Sequence, residues 1–218
     1  MNDSISSPPD RTRRGLLLVI SSPSGAGKTS LAQRLTGEFS DLGLSVSCTT
    51  RAPRPGERDG REYVFLDQAE FEARRRRGDF LEWAEVHENL YGTPRGPVME
   101  RLGRGEDVLF DIEWQGAAQI RAAAAEDVVS VFILPPTMAA LERRLHTRAQ
   151  DSHEVIARRL ARARGEIERW PDYDYVIVND DFDAAYARLA RLYLAERDRR
   201  LRNPWIGAFV KELFAQTP

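Results

Sequence analysis

Short apolar runs alternate with stretches of helical period along most of the chain. Leu16–Ser21 is apolar up to its closing serine, the pattern of a strand buried on both faces, and Lys28–Phe39 carries Leu31, Leu35 and Phe39 at helical spacing. The strand pattern returns at Val108–Ile112, Val129–Leu134 and Tyr175–Val178, with helical stretches over Gln115–Ala125, Thr137–Thr147 and Phe182–Arg199. This alternation predicts an α/β fold, a parallel sheet between crossover helices in three layers. Two segments interrupt it. Ser47–Gly96 carries short β-like stretches at Arg61–Leu66 and Phe80–Val86 around one helix, where Asp67 and Glu70 form a capping box, and it reads as an inserted α+β lobe. Residues 143–169 are helical and strongly charged.

At the C-terminus, Trp205, Phe209, Leu213 and Phe214 share a helical face. A helix packed on the core is the favoured reading of that face, ahead of a partner-binding helix. The first fourteen residues, with Pro8, Pro9, Asp10 and Arg11 to Arg14, lack the apolar stretch of a secretion signal. They are expected to be a disordered tail on a cytoplasmic protein. No apolar run approaches the roughly 20 residues of a membrane helix, so no membrane partner is expected.

Charge refines this picture. Lysine and arginine number 32 against 34 acidic residues, so no global basic field points to a nucleic-acid polymer. Residues 143–169, however, hold eight arginines against four carboxylates, a local surplus of four. The run Arg74–Arg77 reads as a solvated face. Lys28 and Lys211 are the only lysines, so a lysine here invites a reason. Cys48 is the single cysteine, which excludes an internal disulfide and fits a reducing compartment.

Lys28 stands in Ser22-Pro23-Ser24-Gly25-Ala26-Gly27-Lys28-Thr29, between a predicted buried strand and a predicted helix. That context makes it a phosphate-binding loop. Gly25 and Gly27 let backbone N–H groups turn toward a phosphate, and the helix start adds its positive dipole end. Lys28 would reach the β- and γ-phosphates and the Thr29 hydroxyl would ligate Mg²⁺. The usual pattern starts with glycine, and Ser22 stands there instead. A second anion-binding pattern is Thr49-Thr50-Arg51-Ala52-Pro53-Arg54-Pro55-Gly56-Glu57, two arginines in a proline-stiffened segment suited to bidentate phosphate contacts. Tyr63 and Tyr91 offer phenolic donors to the same group.

Over about residues 15–196 the sequence resembles the guanylate kinases. Beyond the loop Ser22–Thr29, the resemblance rests on Ser47–Glu57, Gly60 and Tyr63, Phe80-Leu81-Glu82-Trp83-Ala84, Tyr91-Gly92-Thr93, Asp111-Ile112-Glu113-Trp114-Gln115-Gly116, Pro135-Pro136 and Val176-Ile177-Val178-Asn179-Asp180. It implies a phosphate-loop core over 15–46, 98–136 and 170–200, a GMP-binding lobe over 47–97, a helical lid over 137–169 and a C-terminal helical extension over 201–218. The implied reaction is Mg²⁺-dependent transfer of the γ-phosphoryl group of ATP to GMP, and to dGMP as well. A homo-oligomer stays open.

Transferred by position, Ser24, Gly25, Ala26, Gly27, Lys28, Thr29 and Ser30 hold the ATP phosphates, with Asn179 either at adenine or in a structural turn. Arg51, Arg54, Tyr63 and Tyr91 hold the GMP phosphate, and Ser47, Glu82 and Thr93 read guanine. Guanine offers N1–H and N2–H₂ donors on one edge, which a carboxylate can accept together, whereas adenine presents an acceptor at N1. Asp111 serves either Mg²⁺ or guanine, or simply caps a helix. Glu113 joins the substrate set, although the family often has Asp there. Arg144 and Arg148, one helical turn apart, and Arg159 on the next helix act with Lys28 on the moving phosphoryl group. After Arg148 the chain reads Ala149-Gln150, where the family often has glycine. A noncatalytic scaffold of this type would have lost the phosphate loop and lid arginines, and a kinase of another acceptor would lack the guanine-reading lobe.

Overall fold

The computed structural model describes residues 11–86, 88–148 and 153–215. Nine strands and eight helices follow one another as β1 Leu17–Ser21, α1 Lys28–Glu38, β2 Leu42–Leu44, β3 Ser47–Thr49, β4 Tyr63–Phe65, α2 Gln68–Arg77, β5 Phe80–Val86, β6 Asn89–Pro94, α3 Arg95–Gly103, β7 Asp107–Asp111, α4 Trp114–Ala124, β8 Val128–Leu134, α5 Met138–Arg148, α6 His153–Ile167, β9 Tyr175–Val178, α7 Phe182–Arg197 and α8 Trp205–Ala215 among the described residues.

Five strands form one parallel sheet in the order β2-β7-β1-β8-β9. All five residues of β1 are buried, because alternate side chains feed two separate cores. Leu18 and Ile20 pack with Leu31 and Leu35 of α1 and Leu189 of α7 on one face. Leu17 and Val19 pack with Val98 and Leu102 of α3 and Ala117 and Ile120 of α4 on the other. The result is the three-layer arrangement expected from the strand and helix alternation.

A second sheet, β4-β3-β6-β5, is mixed: β3 pairs parallel with β4 and antiparallel with β6, which pairs antiparallel with β5. It covers its own small core of Cys48, Phe71, Phe80 and Leu90. The predicted strands at 61–66 and 80–86 are therefore only half of this sheet. The capping box at α2 is formed on one side only: Asp67 Oδ1 accepts from Glu70 N–H at 2.8 Å, while the Glu70 carboxylate turns to Arg74 at 2.6 Å. Helices α5 and α6 pack through Leu141, Leu145, Leu160 and Ala163.

Two expectations about the termini change. Residues 1–10 of the expected tail lie outside the described residues, but 11–14 are held. Arg13 donates to both oxygens of the fully buried Asp107, at 2.8 and 2.6 Å, and Arg14 pairs with both oxygens of Asp127. These contacts satisfy carboxylates at the amino ends of the central strands, which gives the segment an address a disordered tail lacks. Helix α8 forms, yet none of its residues is buried, and Phe214 is 75% exposed. Its aromatic face meets Arg11, whose guanidinium lies 5.4 Å from the Trp205 ring and 5.3 Å from the Phe209 ring. No helix of the described residues is long and apolar enough to cross a membrane.

Candidate functional site

The site residues gather where the central strands end. In a parallel sheet the carboxyl ends of all strands lie on one side, and the loops leaving them converge. The loop 22–27 leaves β1, Asp111 closes β7, and Asn179 follows β9. Gly27 stands at the N-cap of α1 with φ 99° and ψ 11°, and no side chain caps the helix. The first amide groups of α1 are thus left for another acceptor, which is the condition for binding an anion. Ser22 needs none of the freedom of the glycine it replaces. Glu88 is the only non-glycine with positive φ among the described residues, and the Ser22 hydroxyl donates to the Pro23 carbonyl at 3.0 Å.

Lys28 Nζ lies 2.6 Å from Asp111 Oδ1 and donates to the Ile112 carbonyl at 3.2 Å. The Ser21 hydroxyl donates to the same carbonyl at 2.9 Å. Asp111 is therefore engaged by the loop lysine and caps no helix; Glu113 is the N-cap of α4. A cavity of about 190 Å³ is lined by Ser22 to Gly25, Gly27 to Thr29, Glu113 and Glu166. A larger one of about 680 Å³ opens on the other side, where Ser30, Pro136, Arg144 and Asn179 meet.

Arginines from α5 and α6 reach this loop. Arg144 donates to the Asn179 carbonyl at 2.9 Å and to the Ala26 carbonyl at 3.4 Å, and Arg159 donates to Ser24 Oγ at 2.9 Å. Arg148 is the last residue of α5, and its side chain lies outside the described part of the structure, as do Ala149 and Gln150. Asn179 Nδ2 donates to the Ala26 carbonyl at 2.7 Å, while its Oδ1 is buried without a partner. Asn179 is a brace of the phosphate loop whatever else it touches.

The second sheet carries the other cluster. Glu82 on β5 stands opposite Thr93 on β6, and the Thr93 hydroxyl donates to Glu82 Oε1 at 2.7 Å. Ser47 Oγ lies 3.2 Å from Thr93 Oγ1. A hydroxyl has one hydrogen, and that of Thr93 goes to Glu82, so Ser47 donates to Thr93. Glu82 is only 7% exposed, and burial raises its pKa above the usual carboxylate value, opposed in part by Thr93. Nearby, Arg51 pairs with both Glu57 oxygens at 2.9 and 3.0 Å and lies 5.4 Å from the Tyr63 ring. Tyr63 and Tyr91 meet edge to face at 6.0 Å. The Arg51 guanidinium is raised chiefly by its bond to Glu57, with the Tyr91 hydroxyl adding to it. The Arg54 backbone N–H donates to Glu57 at 2.7 Å, which sets both arginines around one carboxylate.

A glycine-rich loop met by arginines from α5 and α6 and a buried carboxylate on the second sheet are thus the two polar clusters of the fold. Comparison with known proteins gives the family: a family model described as guanylate kinase matches residues 14–196. The chain belongs to the guanylate kinase family. The guanylate kinase of Caulobacter vibrioides is 56% identical over 203 residues, covering 93% of this chain and 95% of that protein. That of Rhizobium meliloti is 55% identical and covers 97% of each. A crystal structure of guanylate kinase from Anaplasma phagocytophilum superimposes with a TM-score of 0.73 at 35% identity, over 95% of this chain and 99% of that one. As a guanylate kinase the chain is a nucleoside monophosphate kinase that phosphorylates GMP with ATP.

Guanylate kinase chemistry gives a use to residues that the sequence alone did not single out. Glu57 was visible only as the end of a motif, yet it organises Arg51 and Arg54. Arg162 of α6 bridges Glu113 at 2.6 Å and Glu166 at 2.9 Å, tying the helical pair to the start of α4. Its place in a row of eight arginines hid it. Gln119, one helical turn beyond Gly116, takes both backbone groups of Trp83, and a single glutamine on a helix face gives no sequence signal at all.

Proposed function

We propose that the two clusters are the two ends of one phosphoryl-transfer site, the phosphate loop with the α5–α6 arginines holding ATP and the second sheet holding GMP. The observation that carries this reading is the buried Glu82, hydrogen-bonded by Thr93 and lying on a separate sheet from the one whose β1 leads into the loop of Lys28. A carboxylate kept out of water by Thr93 and the facing helix is matched to a partner with two donors on one edge, which guanine supplies. Ser47, having given its hydrogen to Thr93, keeps lone pairs to accept from the same base.

Lys28 has three N–H groups and spends two on Asp111 and Ile112. The third serves a phosphate oxygen of ATP, together with the uncapped amides of α1 and the backbone of Ser24 to Gly27. Arg144, Arg148 and Arg159 spread the charge that develops on the moving group, while Asn179 acts through the loop it braces. Arg51, Arg54, Tyr63 and Tyr91 hold the GMP phosphate. Its oxygen is already an anionic nucleophile, so the chain needs no strong general base. Its task is alignment, charge neutralisation and exclusion of water, since admitted water would make the enzyme an ATPase.

Thr29 at the end of the loop and Asp111 beside Lys28 are hard oxygen donors. This suits Mg²⁺, which takes one or two protein oxygens and fills its shell with water and phosphate oxygens. When bound with ATP the ion neutralises phosphate charge and orients the γ-phosphoryl group. Glu113, paired with Arg162, contributes from the edge of the same cavity. dGMP offers the same base edge and the same phosphate to these residues and is an acceptor in this reading as well. ATP and GMP are the partners, and the cytoplasm, which holds both, is the site of action.

The test is ADP release with GMP, dGMP, AMP, UMP and ribose phosphates as acceptors. GMP and dGMP should support turnover and the others should not. Lys28→Ala should abolish GMP-dependent ADP release while leaving the unfolding transition in place; unchanged turnover would overturn the assignment of the loop.

A further inference from the structure

Resting on the assignment of Glu82 to guanine, we propose that Gln119 is the positioning residue that sets the guanine-reading carboxylate against the phosphate loop. β5 is an edge strand of the second sheet, so half of its backbone groups face away from β6. At Trp83, the residue after Glu82, those groups are not left to water. Gln119 Oε1 accepts from Trp83 N–H at 3.1 Å and Gln119 Nε2 donates to the Trp83 carbonyl at 2.9 Å. The side chain imitates the backbone of a neighbouring strand and clips β5 to the side of α4.

One helical turn earlier, Gly116 faces Glu82 itself: a Cβ built there would stand 3.3 Å from Glu82 Oε2. Helix and strand therefore approach as closely as this position allows, and Gln119 holds them there. The other end of α4 is fixed to the phosphate loop, because Ile112, two residues before its first turn, accepts hydrogen bonds from both Lys28 and Ser21. A continuous path runs from Lys28 through Ile112 and α4 to Gln119, Trp83 and Glu82. Gln119 spends both ends of its amide on the Trp83 backbone. It acts through the backbone next to Glu82, and only a side chain that both accepts and donates can fill both positions.

Steady-state kinetics of Gln119→Met and Gln119→Glu with GMP, IMP and ATP test this. IMP lacks the amino group that distinguishes guanine at a carboxylate. Gln119→Met keeps the length and removes both hydrogen bonds. It should raise KM for GMP about tenfold and shrink the preference for GMP over IMP, with KM for ATP within about twofold. In a Glu82→Gln background the same substitution should add less than about twofold, because the residue acts through Glu82. For Gln119→Glu, the ratio of its KM for GMP to that of the parent enzyme should fall toward one at lower pH. There the introduced carboxyl is protonated and again both accepts and donates. An equal loss for ATP, full additivity with Glu82→Gln, or a ratio that does not change with pH would overturn the proposal. Glu82→Gln alone separates the two readings: if it leaves KM for GMP unchanged, the assignment of Glu82 is what fails. If Gln119→Met does not fold, as judged by its thermal transition, the pH series of Gln119→Glu decides.

Discussion

Glu82 is a carboxylate held where its charge is costly, and under the proposed guanine assignment that cost makes GMP binding depend on pH. Burial raises its pKa above the ordinary glutamate value in the free protein, with the hydrogen bonds from Thr93 pulling the other way. A carboxyl raised on folding binds more protons folded than unfolded between the two pKa values. Its contribution to stability is thus present at low pH and lost as pH rises from the unfolded value through the raised one. Guanine N–H donors favour the ionised form, so GMP lowers the pKa again and binding expels a proton within that window. Affinity for GMP should therefore increase as pH rises through it. Titration calorimetry in buffers of different ionisation enthalpy should show proton release for the parent enzyme and none for Glu82→Gln. Glu82→Gln should also weaken GMP roughly tenfold or more, for the loss of a charged hydrogen bond worth about 1.5–3 kcal/mol. Identical apparent enthalpies in all buffers would show that Glu82 does not change protonation on binding.

At the level of elements, legibility in the sequence followed length. β5 and β9 occur at the residues predicted for them, 80–86 and 175–178: β9 is an unbroken apolar run, and β5 follows the αL glycine Gly78 with aromatic and aliphatic residues around Glu82 and Glu85. β2 and β3 have three residues each, too few to show a period, and they exist through pairing with β7 and with β4 and β6. β6 contains Gly92 and Pro94, poor strand formers, and is held between β3 and β5. α3 opens with Arg95-Gly96-Pro97, which reads as a turn although proline suits the first turn of a helix. α8 was legible as a helix, but its burial was not, since an apolar face says nothing about what covers it. The strand, loop and helix start around Ser22–Thr29 were legible because their signal is local. The strand–loop–helix unit β1–α1 also makes a sharp prediction. Gly27 has φ 99°, and a Cβ there would stand 2.4 Å from Asn179 Nδ2. Gly27→Ala therefore adds backbone strain and pushes Asn179 off the Ala26 carbonyl. Stability should fall by about 1–3 kcal/mol in chemical denaturation. ATP affinity should drop at least tenfold, while GMP affinity, if set on the other sheet as proposed, stays within about twofold. Retained ATP affinity would mean that the loop adapts without the glycine.

Across the whole molecule, the proposed chemistry and the stabilising contacts lie at opposite ends of the same strands. β7 is the clearest case: Asp111 at its carboxyl end pairs with the phosphate-loop lysine, and Asp107 at its amino end is a fully buried hub. Asp107 accepts from both terminal nitrogens of Arg13, from Leu16 N–H at 2.8 Å and from the Tyr193 hydroxyl at 2.6 Å. Desolvation of Tyr193, together with its bond to this carboxylate, raises the phenol pKa, so the hydroxyl remains a donor throughout the range in which the enzyme works. The hub joins the segment before β1, the interior strand β7 and helix α7, elements distant in sequence. Asp107→Ala would remove the charge that compensates Arg13, whose side chain is 14% exposed, and would leave the Tyr193 hydroxyl and the Leu16 amide without their acceptor. Breaking a buried pair from one side costs about 3–5 kcal/mol. Chemical denaturation should show a loss of that size. At a temperature where the variant is still folded, KM for ATP and GMP should match the parent within about twofold, because the strand ends that carry the site are held by other contacts. A stability loss below about 1 kcal/mol would mean that neighbouring carboxylates such as Asp41, which lies 3.6 Å from Arg13, take over the charge. A change in KM without a change in stability would place Asp107 in the site's machinery and break the division of labour between the two ends of the sheet.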